Sequence, residues 1–257
     1  MSGFERPIPT RASFISGGIP GCIADGTAGS SIADREAVRQ AEATRISEPS
    51  MPRDYTVPPQ REAARACASS AQVAVGPSRR IVFGSHDLSN AETYHRWFND
   101  RELHHYNCDR RFVPTTLSET IEALKRSWIR SSADCERYAV YTAGDRRLIG
   151  QADIYDISPD NRRARVGLEI GEKEFWGRGL GREILDEILE GAFLRLGQHR
   201  AEAVIYAFNE RSLRLFQRAG FVREGCLRER LDRDGVFHDE YLLGLIDSEW
   251  RNHRGTL

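Results

Sequence analysis

The chain has 257 residues, of which 40% are hydrophobic and 29% are charged, and its formal net charge is -1. This length accommodates one large domain or two small ones with a sizeable core, and the near-zero charge argues against nucleic acid as the main partner. No run of about 18 apolar residues occurs, so no membrane span is predicted. The N-terminus lacks the apolar core of a secretory signal, and a cytoplasmic location is therefore expected.

Residues 1–78 differ in composition from the rest of the chain. They contain eight of the ten prolines and seven of the 22 glycines but only three aromatic residues. A segment of this composition buries too little apolar surface to offset the entropy that folding costs. We therefore predict a mostly disordered extension over residues 1–78 and a folded domain over residues 79–257. A native start at Met51 and a transit peptide are two alternatives for the extension.

The domain is predicted to begin with an edge strand over residues 80–83, followed by two helices. Ser89-Asn90-Ala91-Glu92 and Thr116-Leu117-Ser118-Glu119 each have the form of a capping box. In a capping box, a Ser or Thr side chain and a Glu three positions later satisfy free backbone amides at a helix start. The Arg- and His-rich stretch between the helices, residues 100–113, is predicted to be a loop.

Three successive strands are predicted over residues 137–143, 147–157 and 163–171. Turn-forming residues separate these strands, so they should form an antiparallel meander. Gly167 in the third strand marks a bulge or a point of close approach, since glycine weakens the interior of a strand.

The second half of the domain begins with an amphipathic helix over residues 180–196 and a buried strand over residues 203–207. A strand, a crossover helix and a further strand imply that residues 163–171 and 203–207 pair in parallel. A short helix over residues 209–220 and a hairpin over residues 221–245 complete the domain. The predicted fold class is α+β, with a mixed, mostly antiparallel sheet flanked by helices.

The predicted crossover helix is preceded by Trp176-Gly177-Arg178-Gly179-Leu180-Gly181-Arg182. Gly179 and Gly181 have no Cβ, so their N–H groups can approach a bulky anion. The first N–H groups of a helix have no intrahelical partner, and the helix dipole adds partial positive charge there. A strand, a glycine-rich turn and a helix start together predict a phosphate cradle.

This cradle differs from two common phosphate-binding motifs. It is not a P-loop, because no Gly-Lys-Ser/Thr follows, and its third glycine comes too early for the dinucleotide fingerprint. An ordinary tight turn is the remaining alternative.

From about residue 79 to residue 251 the chain resembles the GNAT superfamily of acetyl-CoA-dependent N-acetyltransferases. Residues 176–181 are similar to the family's pyrophosphate loop, and Asn209-x-x-Ser212-x-x-Leu215-Phe216-x-x-x-Gly220-Phe221 is similar to its second motif. His238-Asp239-Glu240-Tyr241-Leu242-Leu243-Gly244-Leu245 resembles the last strand of one branch. That branch contains the ribosomal-protein N-terminal acetyltransferases and their polyamine- and sugar-acetylating relatives. The resemblance implies a GNAT-like sheet with a V-shaped splay between two central strands.

The resemblance also implies where acetyl-CoA would bind. The pantetheine arm would lie in the V beside the backbone of the first central strand and Asn209, and the pyrophosphate would meet the loop amides and Arg178. Asn209 has a second interpretation as a helix N-cap. The candidate cofactor-binding residues are Leu168, Ile170, Trp176, Gly177, Arg178, Gly179, Leu180, Gly181, Arg182, Asn209 and Phe216.

The implied reaction is attack of a neutral amine on a thioester, which requires an oxyanion donor and an acceptor for the amine proton. The candidate donor is the backbone N–H of Ile170, and the candidate base is Glu169. The alternative for Glu169 is a strand residue that faces solvent or forms a salt bridge with Arg163 or Arg165. Weaker candidates for the base are Tyr206 and His238.

One position departs from the family pattern. Phe216 stands where the family usually has the Tyr that acts as general acid, and Phe cannot donate a proton. Since a thiol with a pKa of about 8.5 is a fair leaving group, the loss should slow catalysis without abolishing it. Phe216 also supports an alternative function, a catalytically weak acyl-CoA-binding sensor.

We therefore expect an amine N-acetyltransferase that acts by direct attack in a ternary complex, with acetyl-CoA as co-substrate and without a metal. The Arg- and His-rich residues 100–113 favour an amine on an anionic carrier. A peptide or protein N-terminus or an amino sugar is thus favoured over a polyamine. The expected partners are acetyl-CoA and an amine acceptor, with neither nucleic acid nor a membrane, and we expect a monomer or a homodimer.

Overall fold

A computed structural model of the protein describes residues 79–129 and 132–255. The predictions for residues 1–78, including the start at Met51, lie outside the described residues and stay predictions. Within the described ranges, no helix is both long enough and apolar enough to cross a membrane.

The described residues build a seven-stranded sheet in the order β1-β2-β3-β4-β5-β7-β6. Neighbouring strands are antiparallel except β4 and β5, which are parallel, so the predicted mixed sheet is confirmed. The strands are β1 (Ile81–Gly84), β2 (Cys135–Thr142), β3 (Leu148–Ser158), β4 (Arg163–Ile170), β5 (Arg200–Tyr206), β6 (Val222–Arg233) and β7 (Val236–Ile246).

Helices cover both faces of the sheet. Two of the helices continue into a wider π-type turn, over Leu124–Trp128 and Gly191–Arg195. The helices are α1 (Ala91–Phe98), α2 (Arg101–Asn107), α3 (Leu117–Ala123), α4 (Leu180–Glu190), α5 (Glu210–Arg218) and α6 (Asp247–Gly255).

The two capping boxes have different outcomes. The one predicted at Ser89 is wrong, because a 3₁₀ turn over Leu88–Asn90 precedes α1, and the side chain of Asp87 accepts the N–H of Ser89. Asp is among the best N-cap residues and takes this role one turn earlier. The capping box of Thr116 with Glu119 is confirmed at the start of α3.

The loop predicted over residues 100–113 is wrong in its first half, where α2 forms. The Asp100 carboxylate caps α2 by accepting the N–H groups of Glu102 and Leu103 at 2.9 and 3.1 Å. Leu103 is buried in the same apolar cluster as residues of α1 and α3. A helix of seven residues with one buried apolar side chain has no periodicity that sequence inspection could detect.

The central strands β4 and β5 pair only over residues 163–165 and 200–202, and no further pairing joins them beyond these positions. This short ladder confirms the predicted V-shaped splay. Gly167, predicted as a bulge or a close approach, pairs regularly opposite Asp153 of β3. The irregularity in this pair of strands lies instead between Tyr155 and Ser158.

Two apolar clusters hold the helices on the sheet. The larger one packs α4 and α6 on one face, with Ile184, Leu185 and Trp250 almost fully buried. The smaller one packs α1, α2 and α3 on the opposite face, around Tyr94 and Trp128. Alternate residues of β4 therefore face two different environments, which separates Glu169 from its neighbours Leu168 and Ile170.

Candidate active site

The glycine-rich loop after β4 has a backbone conformation that glycine adopts readily. Gly177 has φ of 73° and Gly179 has φ of 79°, in the left-handed region that costs other residues about 1–2 kcal/mol. Gly179 is the N-cap of α4. The N–H groups of residues 177–181 donate to no oxygen of the described residues. These free donors stand at the positive end of the α4 dipole, which is the arrangement that binds phosphate.

Gly181 lies where α4 packs on α5, and its predicted contact with the cofactor stays a prediction. A Cβ on Gly181 would lie 3.3 Å from Cδ2 of Leu215 in α5, whereas a Cβ on Gly177 would meet nothing within 4 Å. The missing side chain of Gly181 therefore permits close packing of α4 on α5. Gly177, in contrast, borders open space.

Arg182 is engaged inside the protein. Its N–H donates to the carbonyl of Gly179 at 3.1 Å. Its guanidinium donates to Asp186 at 2.8 Å and to the carbonyl of Arg218 at 2.7 Å. A contact of Arg182 with a cofactor stays a prediction.

Arg80 and Arg178 bring positive charge to the loop. Arg80, which precedes β1, donates to the carbonyl of Arg178 at 2.9 Å and pairs with Glu183 of α4. Arg178 is exposed, and its guanidinium lies 5.4 Å from the ring centroid of Phe175. Arg80 therefore fixes the loop, while the charge of Arg178 faces solvent beside the free amides.

The backbone of β4 faces the opening of the V at alternate residues. The carbonyl of Arg162, just before β4, accepts the N–H of the first residue of β5 at 3.1 Å. Successive residues of a strand point their backbone groups to opposite edges, so Leu168 and Ile170 direct theirs toward β5, beyond the last paired position. The carbonyl of Glu169 points the other way and abuts Gly150 of β3.

Trp176 joins the loop to the end of β4, because its indole Nε1 donates to the carbonyl of Ile170 at 2.7 Å. The guanidinium of Arg211, at the start of α5, lies 4.0 Å from the Trp176 ring centroid and 5.8 Å from that of Tyr106 in α2. Arg211 thus spans the mouth of the V. Sequence inspection did not single out this residue.

Asn209 and Phe216 lie at opposite ends of α5. Asn209 is the N-cap of α5, and its Oδ1 accepts the N–H of Ser212 at 3.1 Å, so the N-cap interpretation is confirmed. Its Nδ2 donates to no oxygen of the described residues, which leaves that group for a ligand. Phe216 is 3% exposed and packs edge-on against Phe221 at 5.0 Å. The cofactor contacts proposed for both residues stay predictions.

Glu169 lies on the face of the sheet opposite α4. Its Oε2 accepts a 2.6 Å hydrogen bond from Nε2 of the buried Gln151. Burial raises the pKa of Glu169 to about 7, against the opposing effect of hydrogen bonds from Gln151 and Asn107. Arg163 and Arg165 pair with Asp156 and Glu202 instead, so the alternative salt bridge of Glu169 with either arginine does not form.

Glu169 lines a cavity of about 320 Å³ between α1, α2, α3 and the segment that joins α2 to α3. Three aromatic residues, Trp97, Phe98 and Trp128, contribute to its wall. Arg110 and Arg111 also line it and are exposed. A compact amine could therefore reach the half-buried carboxylate of Glu169 while a group of opposite charge meets the arginines.

The weaker candidates for the base lie elsewhere. Tyr206 and His238 both contact the ring of Phe208, at centroid distances of 5.4 and 5.0 Å, and neither lines the cavity of Glu169. His104 of α2 does line it, and burial lowers its pKa. Among the described residues, no cluster of His, Cys, Asp and Glu is suited to a metal ion.

Sequence inspection missed Gln151, Asn107 and His104 as neighbours of Glu169. Gln151 is a polar residue inside a buried strand, and the register that places it opposite Glu169 is a product of sheet assembly. The two α2 residues fall in the stretch whose charge and histidines were noticed but whose helix was not. The available signal for all three was a polar residue at a position that packs against other residues. The sequence alone could not identify the partner of any of them.

Comparison with known proteins identifies a family whose model matches more than half of the chain. The family model described as an acetyltransferase (GNAT) domain matches residues 80–222. The uncharacterized N-acetyltransferase YoaA of Bacillus subtilis is 30% identical over 110 residues, which are 43% of this chain and 62% of YoaA. YdaF of the same organism, named provisionally as a ribosomal N-acetyltransferase, is 28% identical over 141 residues, or 55% of this chain and 76% of YdaF.

The fold has solved counterparts. Spermidine N-acetyltransferase from Vibrio cholerae, in a crystal structure with CoA and spermine, superposes with a TM-score of 0.60 at 21% identity. The superposition covers 67% of this chain and 99% of that one. At this level of identity the likeness supports the fold and not the substrate.

Proposed function

Since the chain belongs to the GNAT acetyltransferase family, we propose that it transfers the acetyl group of acetyl-CoA to a primary amine. The observation that carries this function is the meeting of two features at the end of β4. A loop of free amide donors begins α4 on one side of the V, and a half-buried carboxylate, Glu169, faces a cavity on the other. We place the enzyme in the branch of the ribosomal-protein N-terminal acetyltransferases, on its motifs and the likeness to YdaF.

The residues around the V fit acetyl-CoA, which would supply an acyl thioester. The N–H groups of residues 177–181 and the exposed Arg178 would hold the pyrophosphate. The backbone of Leu168 and Ile170 and the free amide of Asn209 would hold the pantetheine arm. The N–H of Ile170 points to the same opening and would donate to the thioester oxygen as negative charge develops there.

Glu169 would take the proton of the amine. An N–H bond of the ammonium breaks, an O–H bond forms on Glu169, and the freed lone pair attacks the carbonyl carbon. The C–S bond then breaks, and the departing thiolate takes the second proton from the nitrogen, which leaves the amide and the free thiol. Since burial places the pKa of Glu169 at about 7, this carboxylate is matched to proton transfer near neutral pH. Phe216 supplies no acid, and none is required, because a thiol with a pKa of about 8.5 is a fair leaving group.

The cavity favours a peptide or protein N-terminus or an amino sugar over a polyamine. Glu169 and Glu119 are the carboxylates among its lining residues, and Glu119 already accepts two hydrogen bonds from Thr116. A second ammonium group would therefore have to lie near Arg110 and Arg111, where like charge opposes it. An acceptor with one amine and an anionic or neutral remainder avoids this repulsion.

Turnover of acetyl-CoA with a panel of acceptors tests the function. Peptides with a free N-terminus, amino sugars, aminoglycosides and spermidine would be compared through release of the free thiol. We expect release with the first two classes above the rate with spermidine. Tight binding of acetyl-CoA without thiol release on any amine would support the sensor alternative instead, and faster turnover of spermidine would overturn the acceptor preference.

A further inference from the structure

Asp153 of β3 is a buried carboxylate whose environment the fold alone does not explain. It is 1% exposed, and neither of its oxygens accepts a hydrogen bond from any residue that the structure describes. The nearest cation is Arg137 of β2, whose Nε lies 3.7 Å from Oδ1. A buried charge without hydrogen bonds costs several kcal/mol in general, so its presence calls for a reason beyond stability.

The sheet register places Asp153 beside Glu169. Asp153 pairs with Gly167 and Gln151 pairs with Glu169, and side chains two residues apart on a strand share a face. Asp153 and Glu169 are therefore diagonal neighbours on adjacent strands, at a backbone separation of about 7–8 Å. Gly167 has no side chain, so nothing from β4 stands between the two carboxyl groups.

Gln151 is a third polar residue on the face of the sheet that carries Asp153 and Glu169. It lies two residues before Asp153 on the same face, is 1% exposed, and donates to Glu169 through Nε2. Its Oε1 accepts no hydrogen bond within the described ranges of the chain. The amide thus holds one oxygen of Glu169 in place and offers nothing to neutralise Asp153.

We propose that Asp153 is a positioning residue that acts through Glu169: its buried negative charge stabilises the protonated form of Glu169 and so strengthens Glu169 as the acceptor of the amine proton. This inference rests on the proposed function. When the ammonium gives its proton to Glu169, one charge of the carboxylate pair is removed, and the repulsion between Asp153 and Glu169 is relieved in the same step. The proton remains on Glu169 until it is returned to solvent.

The pKa shifts of the two carboxyl groups are consistent with this proposal. Burial raises the pKa of Asp153 to about 7, and the charge of Glu169 contributes to that rise while Arg137 opposes it. For Glu169 the rise in pKa comes first from burial, and the charge of Asp100 adds to it. Because the repulsion between two carboxylates is reciprocal, an ionised Asp153 acts on Glu169 in the same direction. The other titratable or polar groups that face the pair are Tyr94 from α1, Asp100, His104 and Asn107 from α2 and its cap, Glu119 from α3, Cys135 and Arg137 from β2, Gln151 and Tyr155 from β3, and Arg165 from β4.

The test is the pH dependence of kcat/KM in the full chain, for wild type, Asp153→Asn and Glu169→Gln. Wild type should lose activity as the pH falls through about 7, where Glu169 takes a proton. Without the neighbouring charge, Asp153→Asn should move this acidic limb to lower pH by roughly one unit. Asp156→Asn is the matched control, because Asp156 is half-exposed, pairs with arginines, and has a φ of 50° that Asn tolerates.

Each outcome decides one question. A shifted limb in Asp153→Asn, absent from Asp156→Asn, supports the inference, and an unmoved limb in a folded Asp153→Asn protein overturns it. If Glu169→Gln keeps the acidic limb of the wild-type pH profile, Glu169 is not the base. Whether the protein transfers acetyl groups is decided separately, by the panel of acceptors. Should Asp153→Asn fail to fold, carboxyl ¹³C titration of wild type decides: two inflections in each resonance support coupling, and independent single inflections contradict it.

Discussion

The two sides of β4 differ in how they are built. On the side of the V, the glycine loop, the start of α4 and the cap of α5 are local structures formed by residues close together in the chain. On the side of Glu169, the cavity is assembled from the consecutive helices α1, α2 and α3 and from β3 and β4, which lie much further along the chain. The first side is specified by backbone conformation and the second by packing, and we infer that cofactor binding and acceptor chemistry can be disrupted separately.

The largest effect should come from the acceptor side. Glu169→Gln removes the proposed base, and general-base removal typically costs about 10²–10⁴-fold in rate. The loss should appear in kcat/KM below the pKa of the amine, and the acidic limb near pH 7 should disappear with it. Steady-state kinetics across pH measure both effects.

Glu174→Gln is the control for this variant, since Glu174 is 51% exposed and pairs with Arg147. Stability provides a second control. The folded pKa of Glu169 is raised above its ordinary value of 4.5, so its ionisation opposes folding as the pH rises from about 4.5 to 7. Glu169→Gln should therefore be at least as stable as wild type at pH 8, and a large fall in melting temperature there would mean that the lost activity reflects misfolding.

The next effect should come from the cofactor side. Gly177→Asp places a negative charge in the open space beside the free amides, while Gly177→Asn has nearly the same shape and the same tolerance of positive φ. The Asp variant should bind acetyl-CoA at least about tenfold more weakly than the Asn variant, a difference of about 1.4 kcal/mol. Calorimetry measures both affinities, and equal affinities would contradict the phosphate cradle.

The sites of the Gly177 and Glu169 variants also differ in how well the sequence predicts them. The loop, the helix start and the Asn209 cap are short-range patterns in which glycine or a capping side chain meets a backbone requirement. The partners of Glu169 are not short-range: Gln151 reaches it through strand register, and Asn107 through a helix too short and too polar to be recognised. The meander and the parallel crossover were predictable because apolar periodicity and turn residues determine them together.

The substitution Phe216→Tyr tests whether the side chain at this position, near the end of α5, only packs in the core or also reaches the cofactor. Phe216 is 3% exposed against Phe221, and a buried hydroxyl without a partner costs about 1–3 kcal/mol. We expect a melting temperature lower by a few degrees, at about 2–4 °C per kcal/mol, with kcat nearly unchanged. An increase in kcat without loss of stability would indicate that the position 216 side chain reaches the cofactor sulfur.

The smallest effect should be seen at the rim of the cavity. Arg111→Gln removes an exposed charge and should raise KM for an anionic acceptor up to about fivefold, since exposed ion pairs are worth up to ~1 kcal/mol. The matched control is Arg126→Gln, because Arg126 is exposed after α3 and does not line the cavity. KM for a neutral acceptor should not change in either variant, and an equal rise for both acceptors would remove the role of Arg111 in selectivity.

The most direct test of the account is kcat at saturating acetyl-CoA and amine, measured near neutral pH in the Gly177→Asp and Glu169→Gln proteins. If the two sides of β4 act separately, Gly177→Asp recovers most of the wild-type kcat once acetyl-CoA is saturating. Glu169→Gln stays slow at any acetyl-CoA concentration. Recovery in both variants, or in neither, would contradict the assignment of cofactor binding to the loop and of proton transfer to Glu169.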